Sequence, residues 1–181
     1  MYLNEDLSDD QILITPRYRR AAPSGVAAAF HGKPEKRRLN PPSRLFRIST
    51  LPDDRIFHGV WWFSQDVFQW LLKESGGDRR ALVKLARMHL AVKFGWSSGM
   101  RHIYVIELTR PVYAWVGPAR AQKESTAHLK HVNWPGGAEQ IFLPNLASKE
   151  YRLASDYARL IETYAVMVDY DPREDPAPLE M

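Results

Sequence analysis

The chain has 181 residues, 45% hydrophobic and 25% charged, with a formal net charge of +4 at pH 7 and no cysteine. That length suits one domain with a substantial core and leaves little room for a second, while the lack of thiols excludes disulfides, thiolate zinc sites and cysteine nucleophiles together. No apolar run approaches the ~20 residues of a membrane-spanning helix, and the opening MYLNEDLSDDQ lacks the basic-then-apolar layout of a secretory signal.

The positive charge is concentrated early. Between Pro16 and Arg44 stand Arg17, Arg19, Arg20, Lys33, Lys36, Arg37, Arg38 and Arg44, against the single acid Glu35. Few apolar anchors and the NPPS punctuation mark residues 1–42 as a basic, partly disordered arm, with the folded domain at 43–172 and an acidic tail at 173–181. Such an arm is a solvated leader or a contact for a phosphate-rich partner; it lacks the stacked aromatics of single-strand binders.

Within the domain, SRLFRIST reads as a strand closed by the turn LPDD, and RIFHGVWWFS as a second strand kinked at Gly59. In QDVFQWLLKE, Phe68, Leu71 and Leu72 recur at helical spacing, so a short amphipathic helix is expected, ended by SGG. A second helix is expected from Asp78 as cap to a stop at Gly95. RHIYVIEL and, across a proline, TRPVYAWV read as strands, whereas KESTAHLKHVNWPGG reads as a mobile loop. AEQIFLP should be a short strand, SKEYRLASDYARLIE helical in part, and TYAVMVDY a closing strand. Strands separated by short turns with helices gathered early favour an α+β fold.

Glu139 opens an otherwise apolar strand directly after WPGGA, where two glycines let the backbone approach a ligand closely. A carboxylate there either stabilises developing positive charge and orients a nucleophile, or faces water at a strand edge. Arg47 lies inside LFRIS; alternation sets Phe46 and Ile48 on one face and Leu45, Arg47 and Ser49 on the other. It either pairs with an acid across the sheet or binds an anion such as a pyrophosphate. The same alternation separates Trp61 and Phe63 from Trp62 and Ser64. His128 and His131 have no third partner at metal-binding spacing, so no metal is expected, and no Gly-rich phosphate loop, GxSxG elbow or Rossmann fingerprint occurs.

The order of LFRIS, VWWFSQDVFQWL, HIYVIELTRPVYAWVGPA and WPGGAEQIFLP, over residues 43–145, resembles the ADP-ribosyltransferase fold family, including small bacterial toxin-like members. The resemblance implies two small packed, mostly antiparallel β-sheets forming an NAD cleft, with flanking helices. It implies NAD as co-substrate, Glu139 as the catalytic glutamate, Arg47 as an NAD contact, Ser64 as support for the nicotinamide half, and Trp62 or Phe63 stacked near the nicotinamide. FHG at residues 57–59 is similar to the start of the family's His-Tyr-Glu subgroup, which would make His58 the NAD contact and Tyr104 the stacking residue. The implied activity is transfer of ADP-ribose to a protein, nucleic-acid or small-molecule acceptor by a bacterial toxin or effector. Such a protein would be cytoplasmic or secreted into a target cell, with an immunity protein as a further partner and no membrane. The alternatives are an NAD glycohydrolase on the same fold and a non-catalytic nucleic-acid-binding module. At the position two residues before Glu139, where the toxin-like subgroup has Gln or Glu, this chain has Gly137, and acceptor choice is not read from it.

Overall fold

The computed structural model describes residues 2–10, 26–49, 60–93, 100, 102–125, 131–144, 146 and 165–168. After a 3-10 turn at Val26–Ala29, the elements are β1 (Glu35–Leu39), β2 (Arg44–Ser49), β3 (Trp61–Ser64), α1 (Gln65–Glu74), α2 (Arg79–His89), β4 (His102–Leu108), β5 (Val112–Pro118), β6 (Gln122–Glu124), β7 (Val132–Trp134), β8 (Glu139–Phe142) and β9 (Ala165–Val168). The strands of the main sheet follow the order β1-β5-β8-β3-β2-β4-β9, and β6 pairs with β7 apart from it. Among the described residues every pairing between strands is antiparallel. The α+β expectation holds.

Short β3 divides the sheet into two halves. Trp61 and Trp62 pair with Phe142 and Ile141 of β8, while Phe63 and Ser64 pair with Phe46 and Leu45 of β2. One end of the strand therefore belongs to the β1-β5-β8 half and the other to the β2-β4-β9 half. The halves share a core: Leu45, Trp62, Tyr104, Ile106 and Leu108 cluster with Val112, Ala114, Val116, Ile141 and Leu143. On the opposite face, Phe46, Ile48, Phe63 and Val105 pack with Phe68, Leu71, Leu82 and Ala86 of the helices. Phe46 and Phe68 stack there with ring centroids 4.3 Å apart. Burying each such aromatic stabilises the fold by about 1.5–3 kcal/mol.

Both helices begin at side-chain caps, Asp78 as expected and Ser64 in a role not assigned to it from the sequence. The Ser64 Oγ accepts from the Val67 N–H at 3.3 Å, and the Asp78 carboxylate accepts from the Ala81 N–H at 2.7 Å. Helix α1 ends at Ser75, with Gly76 and Gly77 in the left-handed region. Helix α2 does not run on to Gly95. It stops at His89, because Ala91 takes a φ of 51° and the Val92 N–H closes back on the Arg87 carbonyl at 3.0 Å.

The boundary at residue 42 does not hold either. Strand β1 pairs along its whole length with β5, Leu3 bridges to Val112, and Phe30 is fully buried. The cause is an edge strand, EKRRL, whose charges face outward and hide the alternation. The expected loop at 123–137 likewise contains β7 and the end of the β6–β7 hairpin. The LPDD turn, Gly59, the helix expected within 148–162 and the acidic tail lie outside the described residues. Among the described residues no helix is long and apolar enough to cross a membrane.

Candidate functional site

Strand register gathers the candidate residues. Arg47 pairs with Tyr104 and Leu45 with Ser64 across β2, and opposed residues in antiparallel strands share a face. Trp62 pairs with Ile141 of β8, and Glu139, two residues before Ile141, falls on the same face by strand alternation. Arg47, Trp62, Ser64, Tyr104 and Glu139 thus occupy one face of four neighbouring strands, β4, β2, β3 and β8. The separation of Trp62 and Ser64 from Trp61 and Phe63 follows the alternation read from the sequence.

Glu139 is delivered by a tightly bonded loop. The Gly136 N–H donates to the Met88 carbonyl at 3.0 Å and the Ala138 N–H to the His89 carbonyl at 3.1 Å. These are carbonyls of the last turn of α2, which have no partner within the helix. On the other side, Gly137 N–H donates to the Ala119 carbonyl at 2.9 Å and Ala119 N–H to the Ala138 carbonyl at 2.8 Å. Gly136 and Gly137 both have positive φ, and a Cβ on Gly136 would lie 2.4 Å from the Ala119 oxygen. The two glycines therefore serve backbone packing, and Glu139 emerges half-exposed at the start of β8.

At the other end of the row, the Arg47 guanidinium lies 5.8 Å from the centroid of the Trp62 ring. Burial pushes its pKa down to about 10, partly offset by Tyr104, so it stays charged at neutral pH. Trp62 is 1% exposed and Tyr104 is also buried. These two aromatics are core side chains that support Arg47, so the expected open stacking plane at Trp62 or Tyr104 is not formed. Phe63 lies on the far face against Phe46 and Phe68, which removes it from the site. The Ser64 hydroxyl caps α1, which is a structural duty. His58 lies outside the described residues.

Sequence reasoning missed Arg37 and Glu35. Arg37 Nη1 lies 3.3 Å from Glu139 Oε2, and its Nη2 lies 3.1 Å from Glu35 Oε2. The Glu35 hydrogen bond first, then the Glu139 charge, push the Arg37 pKa above its ordinary value. The signal available was the lone acid Glu35 two residues before Arg37 in EKRRL, a stretch read as a leader. Its neighbours are also engaged: Lys33 pairs with Asp9, Arg44 with Glu107, and Arg38 lies over the Tyr2 ring. Lys36 donates to the Glu5 and Leu7 carbonyls. Each described basic residue of this stretch therefore has an internal contact. Among the described residues no group of three or more His, Asp or Glu is placed to hold a metal.

No protein-family model and no curated protein matches the chain. Among solved structures, it is similar to Rhs1-CT in complex with its cognate immunity protein RhsI1, at 18% identity and a TM-score of 0.41, over 75% of this chain and 77% of that one.

Proposed function

We propose that the chain is a mono-ADP-ribosyltransferase of the toxin or effector kind, which cleaves NAD and passes ADP-ribose to an acceptor. An immunity protein as a binding partner is part of the same proposal. The observation that carries it is the placement of Arg47, Ser64 and Glu139, distant in sequence, on one face of β2, β3 and β8. The residues suit two adjoining parts of NAD, the diphosphate and the nicotinamide ribose. A half-buried guanidinium beside aromatic rings suits a diphosphate, and a half-exposed carboxylate suits a ribose hydroxyl.

In this reading the bond between the ribose C1′ and the nicotinamide nitrogen breaks, and nicotinamide leaves with the electron pair. The acceptor's nucleophilic atom then bonds to C1′ and loses its proton. Glu139 stabilises the positive charge that develops on the ribose, and this works best where little water screens it. Ser64 and Arg47 hold the substrate along the row.

The test is release of nicotinamide from labelled NAD, by the chain alone and with cell lysate, beside Glu139→Gln. Release that depends on Glu139 and moves label onto a lysate component supports a transferase. Release without any acceptor makes the protein an NAD glycohydrolase. No release under either condition from a folded chain removes the enzyme reading altogether.

A further inference from the structure

Arg37 belongs to the edge strand β1, with β5 standing between it and β8, yet it reaches Glu139. Its guanidinium spans two carboxylates, one nitrogen on Glu139 Oε2 and another on Glu35 Oε2. The loop hydrogen bonds fix the backbone of Glu139 but not its side-chain torsions. With the Glu139 side chain 39% exposed and that of Arg37 44% exposed, solvent screens the pair. Such a contact is strong enough to bias a rotamer and weak enough to yield to a ligand. It also engages only Oε2, which leaves Oε1 to accept from a hydroxyl.

We propose that Arg37 is a positioning residue for Glu139, and that Glu35, by holding the other guanidinium nitrogen, sets Arg37 itself. This rests on the NAD-cleaving reading above. The early basic stretch then completes the site from the sheet's edge, where its sequence had suggested a leader.

The experiment uses the full chain with Arg37→Ala, Arg37→Lys and Glu35→Gln. It follows kcat and KM for nicotinamide release together with the side-chain Cδ resonance of Glu139 by NMR. Arg37→Ala is expected to lower kcat about fivefold with KM for NAD unchanged, and to move the Glu139 resonance. Arg37→Lys recovers part of the loss, since one ammonium cannot span both carboxylates, and Glu35→Gln lowers kcat about twofold. An unmoved resonance, an unchanged kcat, or a change confined to KM in the variants of an active wild type overturns the positioning role. Should Arg37→Ala fail to fold, Glu35→Gln carries the same two readouts. A wild-type chain that releases no nicotinamide fails the function itself, and the positioning role falls with it; the two failures differ in which protein is inactive.

Discussion

The Gly136 N–H donates to the Met88 carbonyl at 3.0 Å, joining the last turn of α2 to the loop that delivers Glu139. Helix ends expose carbonyls that need donors, and this loop supplies them from Gly136 and Ala138. The position of Glu139 is thereby tied to where α2 ends. The early stop of the helix at His89 belongs to the same arrangement, because a longer helix would occupy those carbonyls itself.

Gly136→Ala should therefore cost more than Gly137→Ala. At Gly136 a Cβ meets the Ala119 oxygen at 2.4 Å in addition to the φ of +70°, whereas at Gly137, with φ of +96°, nothing lies within 4 Å. Strain alone costs about 1 kcal/mol in the second case, and the clash raises the first to roughly 3 kcal/mol. Urea unfolding of both variants measures the difference. Equal midpoints would mean that the loop is not pinned against β5.

Arg47→Lys should raise KM for NAD about tenfold while leaving kcat nearly unchanged. Lysine keeps the charge but loses the planar group that lies over Trp62 and can grip two phosphate oxygens at once. One tenfold step corresponds to about 1.4 kcal/mol of binding. Steady-state nicotinamide release gives both constants. An unaltered KM would remove Arg47 from the substrate path and leave it as a residue of the sheet.

The sequence made legible what depends on local periodicity. The cap at Asp78, the alternation that parts Trp62 from Phe63, and the strands around Arg47 and Glu139 are all written in neighbouring residues. What stayed hidden depends on distant partners. Strand β1 has no apolar face of its own and is a strand only because β5 pairs with it. Trp62 is an aromatic like any other until the second half of the sheet closes over it. Arg37 could not be assigned to Glu139 without the strand order that brings β1 and β8 to either side of β5.

Asn4→Ala tests whether the first residues belong to the fold. Asn4 is 4% exposed, and its Nδ2 donates to the Tyr113 carbonyl at 3.1 Å and the Pro144 carbonyl at 2.9 Å. Alanine leaves both acceptors without that donor and must also adopt a φ of 64°. A loss of about 2–3 kcal/mol is expected, read from denaturant unfolding. A variant as stable as wild type would return residues 2–10 to the status of a loose leader.

Asp9 gives the same segment a pH signature. Its carboxylate accepts from the Trp115 Nε1 at 2.9 Å and pairs with Lys33 Nζ at 2.9 Å. The Lys33 hydrogen bond first, then that of Trp115, hold Asp9 below its ordinary value of 3.8. A depressed folded value means that Asp9 contributes stability above pH 3.8 and loses it as pH falls through the lower folded value. Lys33, raised above 10.5 chiefly by its hydrogen bond to Asp9, contributes in the opposite sense: its share is present below pH 10.5 and is lost as pH rises through the raised value. The pair is therefore fully effective between those limits. Asp9→Asn should lower the thermal midpoint at neutral pH, with the gap from wild type closing as pH drops below about 4. A gap that stays constant across the acid limb would show that the Asp9 charge plays no part, and that only its hydrogen bond to Trp115 anchors the segment.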